Sequence, residues 1–386
     1  MTGAEDLSAR AIDVVPPDGL QAKLDLGRPL RVKLGVDPTA PDIHLGHTVV
    51  LQKLREFQDA GHLAVLIIGD WTARVGDPSG RSSTRPMLSE DEIAHNAATY
   101  REQAFRILDP DRVEIHPNGE WFGDMRLDEV FRIAATTTVN QLLRREDFAT
   151  RMGENRPISV LELFYPLMQA YDSVMVEADV ELGGTDQLFN LMLGREVQQA
   201  FGQPPQVAMT MPILPGTDGV KRMSKSTGNY IGVSEAPEEQ FGKVMSIPDD
   251  AMATYYDLLF PGTAEDGRSP VERKRGLGRL VIERFHSADA AQAAEAHFNR
   301  VTRDRQAPED VPEVEIAEDT VHLPALLVDA LGVGSRGEAR RLITQGGVSL
   351  DGERISDLDV AAEVLDGRVL RAGKRRFARI VRRPHA

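Results

Sequence analysis

The chain has 386 residues, with 45 Lys and Arg against 60 Asp and Glu, and hence a formal net charge of −15. That length allows two or three domains, and a composition of 41% hydrophobic and 27% charged residues excludes wholesale disorder. The sequence has no cysteine, which excludes disulfides and thiolate metal sites. Its longest aliphatic run, Leu63–Ile68, is too short to span a bilayer, and no signal-peptide pattern opens the chain, so we expect a soluble, cytoplasmic protein.

The charge is unevenly distributed along the chain. Residues 322–386 hold 12 Lys and Arg and 8 Asp and Glu, so this stretch carries +4 and the remainder −19. One interpretation is a small module that binds nucleic acid, attached to an acidic body. The other is an ordinary solvated surface of mixed charge, and on charge alone this second interpretation is favoured.

Strand and helix signals alternate over the first 230 residues. The apolar run Leu63–Ile68 predicts a strand buried on both faces, and Ser89 followed by Glu92 predicts the start of a helix. The alternation predicts an α/β fold with a doubly wound parallel sheet, whose ligands bind at the carboxyl ends of the strands. The predicted strands are 30–36, 63–68, 112–116 and 178–182, and the predicted helices are 45–60, one that starts after Ser89, 158–176 and 185–201.

The rest of the chain divides by composition into three parts. Residues 233–305 have a helical pattern, and residues 306–320 contain the prolines and acids that are typical of a linker. Residues 321–386 predict two short helices followed by strands. Within them, Asp351-Gly352 between short apolar runs predicts a β-hairpin.

The first candidate site lies where the first predicted strand meets a helix. Thr39, His44 and His47 stand at this junction. A helix N-terminus offers free N–H groups and the positive end of the helix dipole, which suits phosphate, and Gly46 leaves room for a ligand against the backbone. Two other interpretations stay open, because the histidines could cap the helix or form half of a metal site.

The second candidate site is the basic loop 219–229. It places three cations and three hydroxyls between glycines, a combination that suits pyrophosphate. The usual interpretation of a single charge run, a solvated basic loop, stays open as the alternative. The residues concerned are Lys221, Arg222, Ser224, Lys225, Ser226 and Thr227.

A polar stripe runs along the predicted helix 158–176. Tyr165, Gln169 and Asp172 are spaced i, i+4 and i+7, so their side chains share one face. Buried, each would need a polar partner, and they are therefore interpreted as the lining of a polar pocket. The glycine-rich segment 183–187 follows the next strand.

In combination, these motifs resemble a known family. His-Leu-Gly-His, followed about 175 residues later by Arg-Met-Ser-Lys-Ser on an α/β scaffold, resembles the two motifs of class I aminoacyl-tRNA synthetases. The polar stripe, the Gly-Asp-Pro-Ser-Gly turn at 76–80 and Gly-Gly-Thr-Asp-Gln at 183–187 narrow the resemblance to the tyrosyl-tRNA synthetases. Residues 323–383 are similar to the S4-type RNA-binding module that ends the bacterial members.

The resemblance implies a domain plan and a reaction. The plan is a Rossmann-like catalytic domain over 1–232, a helical anticodon-recognition domain over 233–305, a linker over 306–320 and an S4-like α+β domain over 321–386. The reaction is activation of L-tyrosine by ATP, accompanied by Mg²⁺, to tyrosyl-adenylate and pyrophosphate, followed by transfer of tyrosine to the 3′-terminal adenosine of tRNA(Tyr). No tightly bound, protein-ligated metal is expected.

The resemblance also assigns roles to the motif residues. Those expected to act in catalysis on the ATP phosphates and pyrophosphate are Thr39, His44, His47, Arg222, Lys225 and Ser226. Those expected to border ATP are Gly35, Asp37, Gly46, Gly184, Asp186, Met223 and Lys225. Those expected to hold tyrosine are Asp77, Tyr165, Gln169, Asp172 and Gln187. Among them, Asp172 would accept a hydrogen bond from the phenol hydroxyl. Those expected to bind tRNA are Arg336, Arg340, Arg341, Lys374, Arg375 and Arg376.

Two positions depart from the usual pattern of the family. Lys33 stands where many bacterial members have a tyrosine that also contacts the phenol, so that second contact is in doubt. Arg222 replaces the usual first lysine of the pyrophosphate loop, although Lys221 keeps a charge beside it.

The resemblance further implies a homodimer. Its candidate contact surface is the apolar stretch 130–135 with Val139 and Leu142, for which ordinary core is an equally good interpretation. Two other functions stay open. A tryptophanyl enzyme would share both motifs but would not need Asp172. A non-catalytic RNA-binding relative is disfavoured by the intact His44, His47 and Lys225.

Overall fold

The computed structural model describes the chain in seven stretches, which are 3–39, 42–77, 89–225, 227–263, 269–303, 311–373 and 376–383. It divides into two compact units. The first unit comprises Met1–Ala236 and Lys243–Phe285, and the second comprises Pro237–Gly242 and His286–Ala386. The domain boundaries expected from the sequence stay a prediction.

The structure has eighteen α-helices and thirteen strands within the described residues, with runs of consecutive helices over residues 119–175 and 237–298. Up to the middle of the chain they are α1 (Ala4–Ser8), β1 (Asp13–Val15), α2 (Gly19–Leu24), β2 (Arg31–Val36), α3 (Leu45–Asp59), β3 (Leu63–Ile68), α4 (Thr72–Val75), α5 (Glu90–Ala104), β4 (Val113–Pro117), α6 (Gly119–Phe122), α7 (Leu127–Ala134), α8 (Val139–Leu142), α9 (Glu146–Gly153), α10 (Val160–Met175), β5 (Val180–Gly184), α11 (Leu188–Ala200) and β6 (Val207–Met211). After them come α12 (Pro237–Ser246), α13 (Met252–Leu259), α14 (Pro270–Phe285), α15 (Ala288–Phe298), β7 (Glu313–Ile316), β8 (Thr320–His322), α16 (Leu323–Asp329), α17 (Arg336–Thr344), β9 (Val348–Leu350), β10 (Glu353–Arg354), β11 (Asp359–Ala361), α18 (Ala362–Leu365), β12 (Val369–Ala372) and β13 (Arg376–Arg382). Short 3-10 turns lie at Pro110–Arg112, Thr185–Gln187 and Asp249–Ala251, and a π-helical turn at Asn299–Arg303.

A six-stranded sheet organises the first unit, in the order β1-β6-β5-β2-β3-β4. Five strands are parallel, and only β1 runs antiparallel, at the edge beside β6. As predicted, β3 is buried on both faces, because helices cover both sides of the sheet. Strand β1 is not predicted from the sequence, because its three residues carry no periodic signal.

The chain changes direction at β2. From this central strand it moves outward through β3 and β4 on one side and returns to β5 and β6 on the other. Such a switch point opens a crevice at the carboxyl ends of the two adjoining strands, here β2 and β5. The doubly wound sheet predicted from the sequence is therefore confirmed, and it places the candidate site between these two strand ends.

The second unit contains a five-stranded sheet in the order β10-β9-β12-β13-β7 and a two-stranded sheet of β8 and β11. The predicted hairpin is present: Asp351 and Gly352 have φ values of 49° and 91° and join β9 to β10. Positive φ at both turn residues matches a type I′ turn, for which Asp-Gly is a preferred pair.

The start of α11 and the position of β7 also differ from the sequence prediction. The helix expected from Thr185 begins at Leu188, after a 3-10 turn of the kind that is frequent at helix N-termini. Strand β7 lies within the predicted linker and pairs in parallel with β13. Glu313 and Glu315 are exposed, Val314 is partly buried and Ile316 is buried, so Glu313, one of the acids that suggested a linker, lies on the solvated face of a strand. A membrane span would need a longer and more apolar helix than any within the described ranges.

Candidate active site

A cleft of about 780 Å³ opens at the carboxyl ends of β2 and β5. The described residues predicted to act on ATP or tyrosine all line it, whereas Ser226 lies outside the described residues. The sequence thus predicted their common location, while their individual roles stay predictions. These lining residues are Gly35, Asp37, Thr39, His44, Gly46, His47, Asp77, Tyr165, Gln169, Asp172, Gly184, Asp186, Gln187, Arg222, Met223 and Lys225.

The two histidines of the cleft stand at the N-terminus of α3. The His44 Nδ1 accepts the Gly46 N–H at 3.2 Å, and the His47 Nδ1 accepts the His44 N–H at 3.3 Å. Because both Nδ1 atoms accept hydrogen bonds, Nε2 carries the proton in each neutral ring and is the free donor. The capping interpretation is thus correct, and it leaves each ring a donor for an anion.

Both imidazoles are held neutral. Burial, the neighbouring His47 and the Lys225 cation lower the pKa of His44 to about 2. Burial and Lys225 lower the pKa of His47 to about 4. The rings stack with their centroids 3.9 Å apart, an arrangement that two charged rings would oppose. Within the described residues, no group of three or more His, Cys, Asp or Glu is placed to hold a metal.

The basic loop is fastened at its base by Asn229. This buried side chain accepts the Ser224 N–H at 2.9 Å and donates to Asp218 at 2.9 Å and to the Arg222 carbonyl at 3.1 Å. The segment that follows the loop pairs with the entrance of α3 through a bridge between His44 and Gly232. The loop is therefore tied to the histidine motif, a link that its composition did not indicate.

Two cations of the loop, Arg222 and Lys225, line the cleft, and each forms an ion pair with a carboxylate of another segment that lines it. The Lys225 Nζ lies 3.2 Å from Asp42, and the Arg222 guanidinium donates to Asp186 at 2.8 Å. Burial raises the pKa of Asp186, and the Arg222 cation opposes that shift. Half-exposed pairs of this kind contribute little to stability, so an entering polyphosphate can replace these carboxylates.

A second cluster of polar groups surrounds Asp77. The Arg145 guanidinium donates to one oxygen of this carboxylate at 2.7 Å, and the Gln187 amide donates to the other at 2.9 Å. Asn190 donates to Gln187 and to Gln169, both at 2.9 Å, and accepts from Arg145 at 3.1 Å. Neither Arg145 nor Asn190 was predicted, because Arg145 reaches Asp77 from 68 positions away and Asn190 stands among ordinary residues of helix α11.

Tyr165 lies beside Asp37 at the end of β2. Its hydroxyl donates to the Asp37 carboxylate at 2.9 Å, and Thr72 donates to the other oxygen at 2.7 Å. Burial and the nearby carboxylates of Asp37 and Asp77 raise the pKa of Tyr165, so its hydroxyl stays protonated and remains a donor.

Asp172 is a buried carboxylate on the cleft-facing side of α10. It accepts the Trp121 indole N–H at 3.0 Å and the Asn118 amide at 3.3 Å. Burial raises its pKa to about 7, against the lowering effects of the Lys33 cation and of these two donors. The polar stripe predicted from Tyr165, Gln169 and Asp172 therefore lines the cleft.

Lys33 is fully buried behind this stripe. Its ammonium donates to Glu181 at 2.9 Å, to Ser173 Oγ at 2.8 Å and to the Gln169 carbonyl at 2.9 Å. These three contacts use all three N–H donors of the ammonium group. Lys33 is therefore engaged inside the protein and has no donor left for a second contact with a phenol.

The arginines expected to bind tRNA lie in the second unit. Arg336, Arg340 and Arg341 are exposed on α17, and Arg376 begins β13 with its side chain half-buried. Lys374 and Arg375 lie outside the described residues.

Comparison with known proteins identifies related sequences and folds. The chain matches the family described as "tRNA synthetases class I (W and Y)" over residues 25–302 and the "Tyrosine--tRNA ligase SYY-like C-terminal domain" over residues 304–380. It is 54% identical to the tyrosine–tRNA ligase of Moorella thermoacetica, over 95% of this chain and 93% of that relative. It is 49% identical to that of Thermotoga maritima, over 97% of this chain and 96% of that relative.

Solved structures show the same fold over about three quarters of the chain. A C-terminally truncated mitochondrial tyrosyl-tRNA synthetase of Aspergillus nidulans superimposes with a TM-score of 0.62 at 24% identity, over 76% of this chain and 91% of that one. Tyrosyl-tRNA synthetase of Archaeoglobus fulgidus, solved with L-tyrosine, superimposes with a TM-score of 0.60 at 24% identity, over 75% of this chain and 96% of that one.

Proposed function

The chain belongs to the tyrosyl-tRNA synthetases, class I ligases that activate L-tyrosine with ATP and charge tRNA(Tyr), and from this premise we propose that the cleft at β2 and β5 is its activation site. The observation that carries the proposal is the buried carboxylate of Asp172 in the same cleft as the phosphate-binding groups of α3 and the basic loop. Such a cleft can hold both an amino acid and a nucleotide triphosphate.

Tyrosine is proposed to bind along the polar stripe of α10. Asp172 accepts the phenol hydroxyl, which completes the hydrogen bonding of a carboxylate that already accepts from Asn118 and Trp121. Asp77, Tyr165 and Gln169 hold the ammonium group, and Gln187 lies near the carboxylate. The Arg145 cation on Asp77 fixes that carboxylate before the substrate arrives.

ATP is proposed to bind against the N-terminus of α3. The free Nε2–H groups of His44 and His47 and the hydroxyl of Thr39 contact its phosphates, while Gly35, Asp37, Gly46, Gly184, Asp186 and Met223 border the nucleoside. ATP enters as its magnesium complex, and the phosphates hold the metal as part of the substrate.

The chemistry needs no protein nucleophile. The ionised tyrosine carboxylate attacks the α-phosphate in line and pyrophosphate leaves, so the protein acts by positioning and by stabilising charge on the phosphates. Lys225 and Arg222, released from Asp42 and Asp186, follow the leaving pyrophosphate, with Ser226 as a further donor. In the second step a ribose hydroxyl of the tRNA's terminal adenosine takes the tyrosyl group.

The second unit and the assembly complete the proposal. Arg336, Arg340, Arg341 and Arg376, with Lys374 and Arg375, bind phosphates of tRNA(Tyr). The working protein is a cytoplasmic homodimer. Of the candidate contact surface, Ile133 and Leu142 are buried within the chain, but Phe131 and Val139 are 63% and 58% exposed, and a second copy would cover them.

The role of Asp172 is tested by replacing it with alanine. We expect Asp172→Ala to lower kcat/KM for tyrosine in pyrophosphate–ATP exchange by about 100-fold or more, because the phenol hydroxyl then lies buried without its acceptor. The value for phenylalanine should change much less, so the ratio of the two collapses. Asp179→Ala, which removes a buried aspartate outside the cleft, is the control and should keep the ratio. An unchanged ratio in Asp172→Ala would contradict the assignment.

A further inference from the structure

Lys33 and Glu181 form a fully buried ion pair. They are register partners on the neighbouring parallel strands β2 and β5, so their side chains leave the sheet on the same face. The Lys33 Nζ and a Glu181 carboxylate oxygen are 2.9 Å apart, and the two side chains are 0% and 1% exposed.

The pair holds one turn of α10. Lys33 donates to the Gln169 carbonyl at 2.9 Å and to Ser173 Oγ at 2.8 Å. Glu181 accepts from the Gln169 amide at 3.2 Å and from Ser173 Oγ at 3.1 Å, and also from the Gln206 amide. Residues 169–173 are thus fastened to the sheet at both ends of the turn, and Asp172 lies between the two attachment points.

The fold makes room for this network at Gly194 of α11. A Cβ there would approach the Gln206 amide nitrogen to 2.5 Å and the Glu181 carboxylate to 3.2 Å. Gly194 therefore allows the amide to reach Glu181.

Stability alone does not account for such a pair. A buried ion pair costs about as much to desolvate as it returns, and apolar residues of the same volume are often equally stable. The distinctive feature of this pair is its position, directly behind the carboxylate that faces the substrate.

We propose that Lys33 and Glu181 are positioning residues for tyrosine recognition, which fix the turn 169–173 and together set the charge of Asp172. They act through Asp172 and do not touch the substrate. This inference rests on the proposed function, in which Asp172 accepts the phenol hydroxyl.

The charges around Asp172 act in opposite directions. Burial raises its pKa to about 7, Lys33 lowers that pKa, and Glu181 raises it. The groups that face Asp172 from α6 and the residue before it, Trp121 and Asn118, are neutral donors that lower the pKa. The other elements packed around α10 also carry charged or titratable groups, and each of these interacts with a residue other than Asp172. Arg74 lies over the Trp71 ring, Arg195 donates to the Val15 carbonyl, and Glu196 accepts from Gln141. Glu129 and Arg132 lie near Tyr171, and Asp37 and Asp77 lie near Tyr165.

The test measures kcat/KM for tyrosine and for phenylalanine in pyrophosphate–ATP exchange between pH 5.5 and 8.5 and follows their ratio. The ratio cancels titrations that both substrates share. In the unaltered protein it should fall as the pH drops through about 7, because Asp172 then gains a proton and accepts the phenol hydroxyl less well. Asp172→Asn should give a low ratio that does not change with pH.

The two halves of the pair should move this inflection in opposite directions. Lys33→Met removes a cation that favours the carboxylate, so the inflection should rise by about 1 pH unit or more. Glu181→Gln removes a like charge, so the inflection should move to lower pH. The double variant should have an inflection above the starting value but below that of Lys33→Met, because Lys33 acts on Asp172 more strongly than Glu181 does.

Lys53→Met is the matched control. Lys53 is also a fully buried lysine, bonded to Glu56 and to the Leu7 and Ala9 carbonyls, but it does not line the cleft. It should lower thermal stability and leave the inflection in place. If Lys33→Met fails to fold, Glu181→Gln tests the inference by itself, because this variant keeps the side-chain volume. The inference then depends on whether its inflection moves to lower pH.

The outcomes separate this inference from the proposed function. A ratio unchanged in Asp172→Asn would overturn the proposed function. A collapsed ratio in Asp172→Asn, together with an inflection that neither Lys33→Met nor Glu181→Gln moves, would overturn only the inference. A ratio that is independent of pH in the unaltered protein, or shifts of the same sign in both variants, would also overturn it and leave a pair with a purely structural role.

Discussion

Lys225 is the residue on which the proposed chemistry of the cleft most depends. In this structure its ammonium lies 3.2 Å from the half-exposed Asp42, and its charge helps to keep His44 and His47 neutral. Since an exposed pair contributes at most about 1 kcal/mol, pyrophosphate can displace Asp42 at little cost. In the proposed reaction, Lys225 therefore pairs with the charge that develops as the α-phosphate is attacked.

Lys225→Ala should slow exchange about 10²–10³-fold with little change in tyrosine affinity, because loss of one donor to a developing charge costs about 3 kcal/mol in the transition state only. Steady-state exchange and equilibrium binding of tyrosine provide the two measurements. Lys243→Ala is a matched control, since Lys243 lies against the same Tyr230 ring but pairs with Glu235 outside the cleft. Normal turnover in Lys225→Ala would mean that the loop is only a solvated surface.

At the residue scale, the sequence predicts those site residues whose spacing along the chain places their side chains on one face of a single helix. Tyr165, Gln169 and Asp172 could be identified because a helix places them on one face. Arg145 could not, because its contact with Asp77 spans 68 positions of the chain. Glu181 could not either, since a strand of an all-buried sheet gives no sign that one side chain faces a lysine.

At the scale of elements, strongly patterned segments were predicted and short ones were not. The apolar strand β3 and the capped helix α5 lie where the sequence places them, because burial on two faces and the Ser89–Glu92 capping box are local signals. Strand β1 depends on its pairing with β6, and β7 on its pairing with β13. Such strands are stabilised by partners distant in sequence, which local pattern cannot reveal.

The exposed apolar side chains of α7 and α8 lead to a prediction about assembly. Phe131→Asp should raise the dimer dissociation constant by about 100-fold or more, because an unpaired charge buried in an interface costs about 3 kcal/mol. Sedimentation velocity across micromolar concentrations measures this constant. Val271→Asp, an exposed apolar position on α14, should leave it unchanged. An unaltered protein that sediments as a monomer at micromolar concentration would contradict the proposed dimer.

At the scale of the whole molecule, we propose separable tasks for the acidic first part and the basic end of the chain. In this proposal, activation depends on the cleft of the first unit, and the exposed arginines of α17 bind RNA phosphates. The uneven charge distribution suggested this division but could not distinguish it from a solvated surface, because charge counts carry no information about what a surface contacts.

Replacing Arg336, Arg340 and Arg341 together by glutamate should therefore raise KM for tRNA in aminoacylation by about tenfold or more and reduce its dependence on salt, since fewer counterions are released on binding. Tyrosine-dependent exchange without tRNA should be unaffected. The comparison is made at two salt concentrations, with Arg126→Glu, an exposed arginine of the first unit, as the control. Equal charging of tRNA by the triple variant would remove α17 from RNA binding.

The central claim, that the cleft activates tyrosine, is tested most directly by amino-acid-dependent exchange of pyrophosphate into ATP, run separately with tyrosine, tryptophan and phenylalanine. The matching family includes enzymes for both tryptophan and tyrosine, so the comparison addresses the nearest alternative. A buried carboxylate at Asp172 fits a phenol hydroxyl, and we predict exchange with tyrosine and essentially none with the other two amino acids. Strong exchange with tryptophan and none with tyrosine would contradict the account.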